Sequence, residues 1–197
     1  MAPEPVSHSW QRIDSWLRDC VPGTYEALPP PATHAEILAA EKRLGLSFPE
    51  QLTESLLCHD GSAQLRLPPV YTLLSTEAIV EHQRLQAEIE DETKAEYLAN
   101  DIPLEIDGQY ARWHPGWVPC ASDDGGGYLV LDAQPGVQQG RVGKRDEIGQ
   151  IEFPPGRIWT SLAELLEAVA DALEDNVTLD GYERIVEDDD LRWDTEG

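Results

Sequence analysis

Apolar residues recur at helical spacing near the start of the chain. Trp10, Ile13, Trp16 and Leu17 share one face of a helix over about Ser7–Asp19, and Pro22-Gly23 ends it. Leu28-Pro29-Pro30-Pro31 then reads as a stiff extended connector within a domain. Thr33-His-Ala-Glu36 has the spacing of a capping box, opening a helix that carries Ile37, Leu38 and Leu44 and closes at Gly45. Ser47-Phe-Pro-Glu50 repeats the device. It opens a second helix with Phe48, Leu52, Leu56 and Leu57 inward, stopped by Asp60-Gly61. The pair predicts a helical hairpin.

After Gly61 the period shortens. Gln64–Leu67 reads as a strand broken by Pro68-Pro69, and Val70–Leu74 as a second extended piece. Thr76 is expected to cap a long polar helix through Tyr97, resting on the body through Ile79, Leu85, Ile89 and Leu98. Trp117–Ala121 and Tyr128–Asp132 are strand-like and flank the turn Asp123-Asp-Gly-Gly-Gly127. Arg141–Lys144 and Ile148–Phe153 add two strands, Gly149 reading as a bulge, with Pro135-Gly136 and Pro154-Pro-Gly156 as loops. Such close spacing predicts an antiparallel meander. A third capping box, Ser161-Leu-Ala-Glu164, opens the cleanest stripe: Leu162, Leu165, Leu166, Val169, Ala170 and Leu173. The expected core is Leu52, Leu56, Leu129, Leu131, Leu165, Leu166 and Val169.

Length sets the scale: 197 residues fit one domain, 1–197, with a core over about 8–175 and an acidic extension over about 176–197. No apolar run approaches the roughly 20 residues of a spanning helix. The N-terminus lacks the basic and apolar segments of a secretory signal. Three scattered cysteines form no disulfide framework. A cytoplasmic protein is expected.

Charge changes the picture more. The net charge is −24, from 38 acids against 14 bases. Such a surface repels nucleic acid and anionic membranes and attracts basic proteins. The charge is concentrated: Glu81–Asp107 nets −7 and Glu174–Gly197 nets −8. Asp188-Asp-Asp190 repel one another, so the extension is expected to be loosely held, or to pack only through Val177, Leu179, Tyr182, Ile185, Leu191 and Trp193.

Candidate chemistry is sparse. Asp123-Asp124 suggests a hard-cation site, but neither calcium-loop spacing nor a phosphate-loop lysine follows, and a solvated turn explains it better. Neither zinc spacing nor HExxH occurs among the five histidines. Cys58-His59-Asp60 is a poor catalytic set because adjacent side chains diverge, whereas His59 suits a helix C-terminus. Trp113-His-Pro-Gly-Trp117 reads as a loop anchored to the core rather than a ligand platform. No enzyme, cofactor or metal is expected.

Several stretches, in this order, resemble the SUKH superfamily, known from fungal cell-wall assembly regulators and bacterial immunity proteins against secreted toxins. They are Leu46-Ser-Phe-Pro-Glu-Gln-Leu52 with its helix to Gly61, Trp113-His-Pro-Gly-Trp-Val-Pro119, Gly125-Gly-Gly-Tyr-Leu-Val-Leu-Asp132, Gly140-Arg-Val142 and the helix from Ser161. The resemblance implies an α+β fold with a central, mostly antiparallel sheet flanked by helices, and a binding protein without catalytic residues. The two acidic segments are its departures from the family pattern. Read with the charge, it points first to an immunity protein that neutralises a basic, nuclease-type toxin domain, with a regulatory or scaffold protein of the cell-wall type as the alternative. The partner-binding residues expected are Glu88, Glu90, Asp91 and Glu92 on the long helix and Asp123 and Asp124 at the strand turn.

Overall fold

The computed structural model describes residues 3–100, 105–106, 109–110, 113–146, 149, 151–153, 159–187 and 189–195. In chain order the helices are α1 (Val6–Cys20), α2 (Pro22–Glu26), α3 (His34–Leu44), α4 (Glu50–Cys58), α5 (Thr76–Ala99) and α6 (Leu162–Asp175). The strands are β1 (Arg66–Leu67), β2 (Tyr71–Leu73), β3 (Glu105–Ile106), β4 (Gln109–Tyr110), β5 (Trp117–Ser122), β6 (Tyr128–Asp132), β7 (Val142–Arg145), β8 (Ile151–Glu152), β9 (Tyr182–Glu187) and β10 (Asp190–Thr195). Six strands form an antiparallel sheet in the order β1-β2-β5-β6-β7-β8. β9–β10 and β3–β4 are separate antiparallel pairs. The α+β architecture expected from the sequence is the one observed.

Local signals account for most boundaries. The Thr33 hydroxyl accepts from the Glu36 amide at 3.2 Å while the Glu36 carboxylate accepts from the Thr33 amide at 2.7 Å, a complete capping box. Gly45 closes α3 in the left-handed conformation. The other two boxes differ from expectation. Ser47 does not cap α4, whose N-cap is Pro49; Glu41 takes the Phe48 amide instead. Ser161 does cap α6, but the Glu164 carboxylate reaches past it to the Thr160 amide. α1 ends at Cys20, just before Pro22-Gly23 as expected, and Pro22 also starts the one-turn helix α2, since proline at the first helical position lacks only an amide that would be unpaired anyway. Gly149 lies at positive φ in a turn after β7, with its amide on the Asp146 carbonyl. The register shift is in β5, between Pro119 and Ala121. The loop at 154–156, positions 148 and 150 of the expected last strand, Asp101, Asp107 and Asp188 lie outside the described residues.

Alternation along β6 divides the sheet into two faces. Leu129 and Leu131 point into the main core with Leu52, Leu56, Leu165, Leu166 and Val169, all buried as expected. Tyr128 and Val130 point the other way, into a smaller cluster with Trp113 and Trp117, which anchor their loop as the sequence suggested. Asp132 at the end of β6 is buried, and its Oδ2 lies 3.2 Å from Arg141 Nε. The Arg141 guanidinium stacks 3.9 Å from the centre of the Phe153 ring. A Cβ at Gly143 would lie 2.7–2.9 Å from that ring, so glycine is what allows the ring its place.

The helical layer is tied by polar contacts over long sequence distances. Trp10 Nε1 donates to Ser55 Oγ at 2.9 Å, and Arg12 meets Glu4, Asp171 and Glu174, fastening α1 to α6. The acidic extension is a folded hairpin against the body. Leu179, Leu191 and Trp193 are buried in the main core, and Trp193 Nε1 donates to the Arg66 carbonyl of β1 at 2.8 Å. Asp189 accepts from the Gly23 amide of α2, and the Arg184 guanidinium sits 4.9 Å from the Trp16 ring. Of the apolar residues expected to hold this segment, Val177 points outward, 49% exposed.

Candidate functional site

The long helix α5 begins where two short side chains satisfy its first amides. Ser75, rather than Thr76, caps it, accepting from Ala78 at 3.2 Å, while Asp60 accepts from the Thr76 amide at 2.7 Å. Asp60 is held by the turn at Gly61. A Cβ there would lie 2.9 Å from the Leu73 carbonyl oxygen, and φ is +88°.

The inward face of α5 becomes polar after one turn. Ile79 and Val80 enter the main core. His82 Nδ1 shares a 2.9 Å hydrogen bond with the Tyr128 hydroxyl, and Gln83 Nε2 donates to the Pro115 carbonyl at 3.3 Å. Glu90 is only 7% exposed; its carboxylate accepts from the Trp113 amide at 3.3 Å and lies 3.6 Å from Lys94 Nζ. Glu90 therefore leaves the expected partner-binding set: it is spent on holding the Trp113 loop.

Leu85, Ile89 and Leu98, expected against the body, are instead exposed. At about 100° per residue, Leu85 lies some 120° around the helix from Ile79, so one stripe cannot include both. The outward face that results carries Glu81, Leu85, Glu88, Ile89, Glu92 and Glu96 at intervals of three and four, with Asp91 at its margin. Glu88 is 3.9 Å from Arg84, both exposed. Among the described residues no cation lies within 4 Å of Glu81, Asp91, Glu92 or Glu96. At the N-terminal end Arg43 of α3 grips Glu77 with both terminal nitrogens, holding that exposed carboxyl below its usual range. A cleft of about 430 Å³ runs between the two helices, lined by Arg43, Glu77, Glu81, Arg84, Leu85 and Glu88.

Asp123 and Asp124 stand elsewhere. Asp123 Oδ1 accepts from the amides of Gly125 and Gly127, both at 2.8 Å, and so folds into its own turn. A Cβ at Gly127 would collide with that carboxylate. Asp124 is exposed, 4.0 Å from Arg66 Nη2. The turn closes one end of β5, whereas Glu90 binds the segment leading into the other end, and six residues of strand span roughly 20 Å. The expected residues thus form two separate places. Glu88, Asp91 and Glu92 share the α5 face, Asp123 and Asp124 occupy the distant turn, and Glu90 is turned inward. The expected partner set leaves out Glu81, Glu96, Leu85 and Ile89, which a helical projection from Ile79 places on the same outward face.

The sets considered for catalysis do not assemble. His59 Nδ1 lies 2.7 Å from the Pro29 carbonyl oxygen and Nε2 lies 3.1 Å from Asp14, away from Cys58. Burial, reinforced by Glu54 and Asp14, pushes the Cys58 thiol up to about 11, so little thiolate is present at neutral pH. Among the described residues no group of three His, Cys, Asp or Glu side chains is placed to hold a metal. No described helix is long and apolar enough to cross a membrane.

Comparison with known proteins bears on this geometry. The model of the SMI1/KNR4 family (SUKH-1) matches residues 31–168, from the entry to α3 into α6. The Schizosaccharomyces pombe cell wall biosynthesis/cell cycle regulator smi1 is 30% identical, aligned over 87% of this chain and 37% of its own length. A KNR4/SMI1 homolog of Yarrowia lipolytica is 27% identical, over 86% of this chain and 31% of its own. The Saccharomyces cerevisiae cell wall assembly regulator SMI1 is 24% identical, over 65% and 32%. The chain spans about a third of the length of these relatives. Two of these three names are those of regulators and none is that of an immunity protein, which supports the alternative expected from the sequence over toxin immunity.

Proposed function

The chain belongs to the SMI1/KNR4 (SUKH-1) family, and from that premise we propose that it is a non-catalytic, cytoplasmic protein-binding module of the cell-wall-regulator type. Its partner surface is the outward face of α5, and its partner is a basic protein. The observation that carries this reading is the set of carboxylates on that face, Glu81, Asp91, Glu92 and Glu96, without a cation of the chain's own among the described residues. Unpaired like charges along one helix destabilise it by a few tenths of a kcal/mol per pair. A basic partner removes that repulsion, accelerates encounter and selects against acidic competitors. The names of the fungal relatives support a role in cell-wall regulation over toxin neutralisation.

The test is genetic and biochemical together. Cells lacking the chain should become sensitive to a wall-digesting enzyme. The wild-type gene should restore resistance, whereas a variant with Glu81, Glu88, Asp91 and Glu92 all changed to Lys should not, despite an unchanged circular dichroism melt. Normal wall resistance in the deletion strain would refute the regulatory reading, and rescue by the charge-reversed variant would refute the surface.

A further inference from the structure

The outward face of α5 is not only acidic. Leu85 and Ile89 stand on it 47% and 42% exposed, one helical turn apart. A face that served only solvation would have no use for two large aliphatic side chains, since each leaves apolar area in water. Four residues apart on a helix, they form a ridge of the kind that packs against a second helix. Glu81, Glu88, Glu92 and Glu96 flank that ridge. The cleft between α3 and α5 runs along it and shares Leu85, Glu81 and Glu88 with it. Its volume is enough to take one or two inserted side chains.

We infer that this face docks a basic amphipathic helix of a protein partner. The inference rests on the binding-module reading above and specifies the mode of recognition. Apolar residues of the partner at positions i and i+4 cover Leu85 and Ile89. Lys or Arg residues beside them meet Glu81, Glu88, Glu92 and Glu96, and one long basic side chain enters the cleft near Glu81. The two signals divide the work: charges set the encounter, and the aliphatic ridge sets orientation and lifetime. An extended basic segment or an unstructured polycation would use the charges alone and ignore the ridge.

The experiment uses the full chain and three synthetic probes of about 18 residues, long enough to hold a helix. The first is a Leu/Lys peptide with leucines at helical spacing, the second has the same composition scrambled, and the third replaces every Lys by Gln. Binding is measured by fluorescence anisotropy at several salt concentrations. The amphipathic basic probe should bind more tightly than the scrambled one. Changing Leu85 and Ile89 together to Ser should cost it about tenfold in affinity while leaving the scrambled probe unaffected. Both side chains are exposed, so the fold tolerates the change, and a circular dichroism melt verifies it. Equal binding of amphipathic and scrambled probes, or indifference to the double Ser variant, would overturn helix docking and leave the basic-partner reading standing. No preference of the full chain for either Lys probe over the Gln probe would overturn both.

Discussion

Trp193→Ala tests whether the acidic hairpin is an integral layer of the protein. Trp193 is 8% exposed, belongs to the main core, and donates its indole N–H to the carbonyl of Arg66 on the edge strand β1. Truncating a buried Trp to Ala typically costs about 3–5 kcal/mol, transfer and cavity terms together. The lost hydrogen bond is included in that figure and contributes about 1 kcal/mol, because the edge carbonyl regains water. For a chain of this length each kcal/mol lowers the midpoint by about 2–4 °C, so the expected drop is about 6–20 °C. Trp193→Phe separates the contributions: the ring stays, the donor goes, and the expected cost is about 1–2 kcal/mol. Val177→Ala, on a side chain 49% exposed, is the control and should change stability by less than about 0.5 kcal/mol. Urea titration with thermal melting measures all three. A Trp193→Ala cost below about 1 kcal/mol would refute the reasoning and return the hairpin to the loosely held extension read from its charge.

Two further outcomes follow from the polar contacts. Both ring nitrogens of His59 face acceptors, Pro29 carbonyl and Asp14 carboxylate, and only the doubly protonated ring donates to both. Burial opposes that charge, but the hydrogen bonds to Asp14 and Pro29 outweigh it and raise the imidazole above its ordinary 6.5. The stabilisation is therefore complete below about pH 6.5 and lost as pH rises through the higher folded value; His59→Gln should remove that slope from a stability–pH profile, and an unchanged slope would refute the assignment. Arg141→Ala takes the cation from the buried Asp132 carboxylate, whose other oxygen keeps the Gln134 amide, and should cost about 1–3 kcal/mol in urea unfolding, with Arg141→Ala plus Asp132→Asn recovering part of it; a cost below about 0.5 kcal/mol would mean that Gln134 and water already satisfy Asp132.

Short-range periodicity and hydrogen bonds between near neighbours were legible along the chain. The Thr33 capping box joins residues three apart, the Asp123 turn closes over four, and the α6 stripe repeats along a single helix. Each is legible because its partners lie within one or two turns of chain. The helices and the antiparallel meander followed from such units, the α+β class from the resemblance of their ordered set to the SUKH pattern, and the exposure of Glu88, Asp91 and Glu92 from their place on a polar helix. Other features depend on partners far along the chain. Glu90 turns inward to an amide 23 residues away, His59 meets Asp14 across 45, and Trp193 reaches Arg66 across 127. The acidity of 176–197 argued for a solvated tail, yet three apolar side chains buried in the main core outweigh the repulsion of its aspartates. On α5 the side that faces the body is set by where β5, β6 and the Trp113 loop lie. A helix with few apolar residues has no strong stripe of its own, so its neighbours choose its buried face, and with it the surface left for a partner.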